Sequence, residues 1–388
     1  LEGPLLKLAR TRPAMKLQLP DAHGLARLFS SDYFQARNQF ILAADRLGTP
    51  CLRQSIAHPL PGPAGEQLSL DYAWIGDPEA PRVLVTQSAV HGVEGFAGSA
   101  IQLDQLLNQD QQDLPAGVAV LHIHAVNPHG FLNCRRVNED GVDLNRNFVD
   151  FSAPAPANPD YEELRTALIP ENLSAWDQAS DRLARYERDW GSTRFHQAVS
   201  GGQFSDPEGP FYGGAKSSWS RQVLEKLFVD LRLAQRSRIA VLDLHTGLGP
   251  YGYGELICDH PPNSEGVQMA RRWYGANVAE PALGTSSSVP KLGLIDYAWQ
   301  QAFGDKVCFL TLEFGTFPFI ELMESLRRDH ALHKAPLSAA DAGQLEQVRQ
   351  SMLKHFNPPT TDWQEAVIFR SRQVIQMALD GLSSEELK

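Results

Sequence analysis

The sequence predicts an α/β protein in which a mixed, mainly parallel twisted sheet lies sandwiched between helices. Short, nearly continuous apolar runs rich in β-branched residues punctuate the chain, and segments of helical period stand between them. The apolar runs lack the strict alternation of a sheet with one wet face, so both faces should be covered.

Residues 30–47, "SSDYFQARNQFILAADRL", form a helical pattern behind a Ser-Asp start. "PRVLVTQSAV" (81–90) reads as a buried strand, "GSAIQLDQLLNQ" as the helix after it, and "GVAVLHIHAV" (117–126) as the next strand. "SSWSRQVLEKLFVDLRLAQ" is a second helix ahead of the strand "SRIAVLDLH" (237–245). "GELICD" (254–259) and "KVCFLTLEF" (306–314) complete the strand set. The stretch near 150–215 breaks the alternation with Pro- and Gly-rich loops around charged amphipathic text, which predicts a helical insertion. From about residue 336 the text is helical again, with a break at "NPPTTD". Residues 15–388 are expected to form a single α/β domain, with Met15 as the start and residues 1–14 as an extension ahead of it.

The chain has 388 residues, 43% hydrophobic and 21% charged, which is enough apolar text for a large core. A formal charge of -11 repels phosphate backbones and anionic lipid, so neither a nucleic-acid nor a membrane partner is expected. No apolar run approaches the roughly 18 residues of a membrane span. The first twenty residues carry no continuous apolar core of a secretory signal. Cys51, Cys134, Cys258 and Cys308 form no CxxC pair, and reduced thiols in the cytoplasm are the simplest expectation.

Four constellations carry chemistry. "HGVEG" places His91 and Glu94 where a strand gives way to a loop, the position at which ligands gather in open α/β sheets. Alone, the pair reads more readily as a polar glycine-rich turn than as half of a metal site. A catalytic zinc site generally has three protein ligands, His₂Glu among the known sets, which raises the question of a second strand-end histidine. His245 closes "RIAVLDLH" before a glycine-rich loop, as a ligand or as a histidine satisfied in the core. "NPHGFLNCRRVNEDGVDLNRNF" gathers Arg135, Arg136, Asn145 and Arg146, a set suited to carboxylate recognition unless Glu139, Asp140 and Asp143 neutralise it in a solvated loop. Glu313 stands within an apolar strand, where a carboxylate is costly to bury without a partner and, near a metal, serves as a general base.

His-x-x-Glu, Asn-Pro-x-Gly, an Arg, "GVDLNRNF", a strand-end His and a Glu in a late strand occur in an order that resembles the zinc carboxypeptidase superfamily, over about residues 80–320. "HGVEGFAGSA", "RRVNEDGVDLNRNFVDFSAP", "DLHTGLGPYGYGELI" and "LEFGTF" together resemble a bacterial branch of it. The resemblance implies one Zn²⁺ per chain on His91, Glu94 and His245, and Asp143 behind the first histidine. It implies Arg136 at the scissile carbonyl, Asn145 and Arg146 on the substrate's free carboxylate, and Glu313 as general base. Arg135, beside Arg136, is expected as a second anion contact. The implied activity is hydrolysis of an amide next to a free carboxylate, in a small peptide or N-acyl amino acid, with a deacylase or esterase of the aspartoacylase type as the alternative. An inactive carboxylate-binding protein on the same scaffold is the non-enzymatic reading. The family's mobile tyrosine has four possible counterparts here, Tyr251, Tyr253, Tyr274 and Tyr297.

Rival motifs fare worse. Gly247-x-Gly249-x-x-Gly252 outlines a dinucleotide fingerprint, but the text that follows reads as a strand and not as the helix such a site needs. His122 and His124 share one face of a strand, but no eightfold βα pattern accompanies them. No G-x-S-x-G is present.

Overall fold

The computed structural model describes residues 22–48, 51–108, 114–334, 337 and 341–384. The proposed extension at residues 1–14 lies outside them.

Seven strands form one sheet: β1 (Leu52–Pro61), β2 (Gln67–Ile75), β3 (Arg82–Gln87), β4 (Val118–His124), β5 (Arg238–Gly247), β6 (Gly254–Ile257) and β7 (Val307–Gly315). Their spatial order is β1-β2-β4-β3-β5-β7-β6. The central strands β4, β3, β5 and β7 run parallel, whereas β1, β2 and β6 pair antiparallel. The mixed, mainly parallel sheet of the sequence reading is therefore present. β1 and β2 are additional to the five expected strands. β1 lies at the sheet edge, is mostly exposed and contains Pro59 and Pro61, so its text has none of the apolar continuity that marks a core strand.

Helices cover both faces. On one side Tyr33–Arg46, Gly95–Asn108, Glu265–Tyr274 and Thr361–Ser384 bury Phe40, Ile101, Met269 and Val367 against the sheet. On the other, Trp219–Asp230 and Ile295–Phe303 bury Leu224 and Trp299. Ser218 caps the first of these by accepting from Arg221 N at 3.2 Å. A further apolar cluster joins helices Pro159–Leu168, Trp176–Trp190 and Ser192–Ser200, all within the expected insertion, to Phe319–His333 and Ala342–Phe356 through Leu164, Leu183, Phe195, Leu326 and Met352. No described helix is long and apolar enough to cross a membrane.

The chain passes from β3 to β4 on one side and later to β5 on the other, so the direction of winding reverses between β3 and β5. A crevice opens at such a reversal, beyond the carboxyl ends of the strands. The helix that leaves β3, Gly95–Asn108, is tied to the last helix by a buried two-pronged ion pair, Arg372 Nε to Asp104 Oδ2 at 2.7 Å and Nη2 to Oδ1 at 2.6 Å. Removing one partner of such a pair strands a buried charge, whereas removing both does not. Asp104→Ala is therefore expected to lower the unfolding free energy by about 3–5 kcal/mol. Asp104→Ala combined with Arg372→Met should lose less than the single change, and urea denaturation of the three proteins measures the difference.

Candidate metal centre and pocket

After β3 the chain turns through Ala89, which takes a left-handed φ of 56°, and delivers His91 just ahead of the short turn Gly92–Glu94. This turn lies against the segment that carries the arginines: Gly92 N donates to Arg136 O at 3.1 Å and Val93 N to Arg135 O at 2.9 Å. A Cβ on Gly92 would stand 2.1 Å from the carbonyl carbon of Gly130, so only glycine permits this approach. The glycine beside His91 is thus a consequence of packing two backbones together. From β5, Asp243 and His245 project on one face, two residues apart.

The three expected ligands converge. Their ligand atoms all lie within 4.8 Å of one another, and the residues are buried. His91 Nδ1 is 2.9 Å from Glu94 Oε1, and His245 Nδ1 is 2.9 Å from Glu94 Oε2 and 3.1 Å from His91 Nδ1. The far nitrogen of each ring faces a carboxylate: His91 Nε2 and Asp143 Oδ1 at 3.0 Å, His245 Nε2 and Asp243 Oδ2 at 2.6 Å. A carboxylate that accepts a hydrogen bond from Nε2–H keeps the proton on that nitrogen and leaves a lone pair on Nδ1. Two lone pairs and a carboxylate then face one point with no donor between them, and a cation fits there. The electrostatics agree. Burial alone would raise the Glu94 carboxyl, but the adjoining His91 and His245 hold it far below its ordinary value. Burial likewise opposes charge on His245, yet Asp243 and Glu94 push it well above the ordinary histidine value. A site that so strongly attracts a proton attracts a metal ion for the same reason. These donors, two nitrogens and a carboxylate, suit zinc.

Arg136 bridges Glu94 and Asp143, donating from Nη1 to Glu94 Oε1 at 3.1 Å and from Nε to Asp143 Oδ2 at 3.0 Å. Asn145 Oδ1 accepts from Ile295 N at 2.8 Å, which leaves its Nδ2 unused among the described residues. Arg146 is 1% exposed, and its hydrogen bonds go to the carbonyls of Ser200 and Asn145 and to no carboxylate. Burial pushes its guanidinium down to about 10, with Asp143 opposing the shift. Glu313 on β7 is the register partner of His245 on β5 and accepts from Leu248 N at 2.9 Å. Burial first, and Glu94 second, raise its carboxyl to about 7.

His91, Glu94, His245, Arg136, Asn145, Arg146 and Glu313 line one cavity of about 610 Å³, part of which is open to solvent. Asp143 stands behind His91. Arg135 is not brought to the cavity. Its Nε donates to both oxygens of Asp329, at 3.1 and 2.9 Å, on helix Phe319–His333. Successive residues point to different sides, and only Arg136 faces the site.

Asp259, Lys291 and Ser288 of the cavity carried no sequence signal, and Phe211, in "FYGG", was given no role; it has φ 59° and its ring lies 5.2 Å below the Arg136 guanidinium. Asp243 escaped notice too, although its spacing of two from a strand histidine could have marked it. None of the four candidate tyrosines lines the cavity. Tyr251 and Tyr253 are exposed, Tyr274 is buried, and Tyr297 OH donates to Lys291 O at 3.0 Å beside the cavity. His122 and His124 are buried, paired with Thr86 Oγ1 at 2.8 Å and Ser99 Oγ at 3.0 Å, and burial pushes them down to about 3 and about 4. The glycines of 247–252 lead into β6 and not into a helix.

Sheet order, crevice and convergent ligand set define a zinc carboxypeptidase-like fold. Carboxypeptidase A from Helicoverpa armigera superposes with a TM-score of 0.50 at 15% identity, covering 91% of this chain and 73% of that one. Two other solved structures resemble it more loosely. Thrombin activatable fibrinolysis inhibitor gives a TM-score of 0.43 at 10% identity, over 97% of this chain and 84% of that one. An aspartoacylase family protein from Mesorhizobium loti gives 0.34 at 14% identity, over 69% and 63%. No curated protein matches the sequence. Residues 29–370 match the family model described as "Protein of unknown function (DUF2817)", and the chain belongs to that family.

The ligand assignment is tested by metal content. Purified protein should hold about one zinc per chain, the occupancy of a three-ligand catalytic site. His91→Ala or His245→Ala should remove most of it, and His122→Ala or His124→Ala should retain it. Elemental analysis after dialysis decides, and retention by His91→Ala would refute the triad.

Proposed function

We propose that the protein is a zinc-dependent hydrolase that cleaves an amide bond next to a free carboxylate, in a small peptide or an N-acyl amino acid. The convergence of Nδ1 of His91, Nδ1 of His245 and the Glu94 carboxylate, with Glu313 on the neighbouring strand, carries this reading. Zinc bound by these donors supplies a Lewis acid and lowers the pKa of water to about 7.

The remaining roles belong to the chain. Arg146, a buried guanidinium whose hydrogen bonds go only to carbonyls, and the unused Nδ2 of Asn145 take the substrate's carboxylate and so orient the scissile bond. Arg136 donates to the carbonyl oxygen as negative charge develops on it, an effect worth about 3–4 kcal/mol for such donors. Glu313 takes a proton from the attacking water and delivers it to the leaving nitrogen; a carboxyl raised to about 7 holds and releases a proton near neutral pH. An N-acyl amino acid presents the same carboxylate and amide, so deacylation uses the same groups.

Glu313→Gln preserves shape and removes the base. It should retain zinc while turnover falls by about 10²–10⁴-fold, the usual contribution of a general base. Single-turnover assays with metal analysis check both, and near-normal turnover would eliminate Glu313.

Masking the substrate carboxylate as an amide should slow the wild-type enzyme strongly, because Arg146 then stays buried without its anion. Arg146→Ala should be poor on the free acid and discriminate little between acid and amide. Arg146→Lys should recover only part of the loss, since a point charge cannot reproduce the fork. Side-by-side kcat/KM values for the three enzymes measure this, and equal wild-type rates on acid and amide would overturn carboxylate recognition.

A further inference from the structure

Two charged residues of the cavity have no task in that scheme. Lys291 stands on the loop before helix Ile295–Phe303, and its Nζ donates to Ser288 Oγ and, at 3.1 Å, to Val289 O. Both acceptors are neutral. Asp259 lies just past β6 and makes no hydrogen bond among the described residues. Both are half-buried and line the cavity with Arg146, but they form no ion pair with each other. Tyr297 OH, bonded to Lys291 O, fixes the backbone from which the lysine extends.

An apolar group filling this end of the cavity would strip water from both charges and give nothing back, which is costly for each. A purely anionic group would satisfy Lys291 and leave Asp259 desolvated; a purely cationic group would do the reverse. A group bearing both signs meets both. Resting on the hydrolase reading above, we propose that Lys291 and Asp259 select a substrate whose leaving amino acid carries a zwitterionic side chain, its carboxylate on Lys291 and its ammonium on Asp259. Arg146 and Asn145 remain committed to the α-carboxylate. Burial, with Arg146 adding to it, pushes the Lys291 ammonium down to about 8, and burial raises the Asp259 carboxyl although Lys291 and Arg146 oppose the rise. Each charge is held at a cost that an incoming counter-charge would relieve.

Calorimetry on the zinc-loaded full chain with four free amino acids tests this: norleucine, glutamate, lysine and 2,6-diaminoheptanedioate, whose side chains are neutral, anionic, cationic and zwitterionic. The zwitterionic compound should bind at least about 10-fold more tightly than norleucine, as expected for paired charge-assisted contacts. Lys291→Met should shrink that ratio and weaken glutamate more than lysine, and Asp259→Asn should shrink it and weaken lysine more than glutamate. Zinc content and melting temperature verify that the variants are folded, and Lys291→Gln and Asp259→Ser replace any that is not. Preference for norleucine, no binding by any of the four, or a ratio unchanged in both variants overturns the assignment. Parallel hydrolysis of the N-acetyl derivatives separates the two readings. Binding in the expected order without hydrolysis removes the hydrolase and leaves the selectivity, and hydrolysis without preference removes the selectivity alone.

Discussion

Groups from three separated stretches of chain meet on the carboxylate of Glu94. His91, His245, the amide of Thr246 and Arg136 all lie within 3.1 Å of its oxygens. Burying that charge is possible only because each neighbour compensates it, and each is in turn held by something behind it: Asp143 behind His91 and Arg136, Asp243 behind His245. The alternation of sign, from outer carboxylate to ring or guanidinium to inner carboxylate, lets a dense cluster of ionisable groups survive in an apolar interior. A cation at the centre completes the alternation.

The surrounding fold serves that cluster. The reversal between β3 and β5 opens the crevice, and the glycine at position 92 lets the His91 loop and the backbone of Gly130 and Phe131 meet closely. Left-handed φ values at Ala89 and Phe211 fall where the chain is bent to reach the site. Such conformations cost energy for a residue with a side chain and persist where the surroundings impose them. The helices between residues 150 and 215 contribute the Ser200 carbonyl that Arg146 grips and the loop bearing Phe211, so the departure from regular α/β alternation shapes the Arg146 side of the cavity.

Legibility in the sequence followed the distance over which each role is decided. His91, Glu94, His245 and Glu313 sit at or beside the ends of apolar strands, a context visible in a few flanking residues, and the order of the motifs tied them together. Arg135 and Arg136 are adjacent in the text and differ only in direction. The one that turns away does so toward Asp329, on a helix nearly two hundred residues later, and nothing local encodes that pairing. Lys291 and Asp259 lie in loops with no period to place them. β1 and β2 went unread because an exposed edge strand with two prolines carries neither apolar continuity nor clean alternation, and β2 shares in the uncertainty of its neighbour.

His245 and Glu313 are register partners on adjacent parallel strands, so the spacing between the proposed metal ligand and the proposed proton carrier is set by the ladder of the central sheet, where strands lie about 4.8 Å apart. Loop mutations cannot alter it without breaking the sheet. Lys291, Asp259 and Phe211 stand on connections outside the strands. On the hydrolase reading proposed above, bond-breaking and choice of bond thereby rest on separate parts of the fold. Exchange of those connections would alter what the cavity accepts and leave the His245–Glu313 spacing as the sheet sets it.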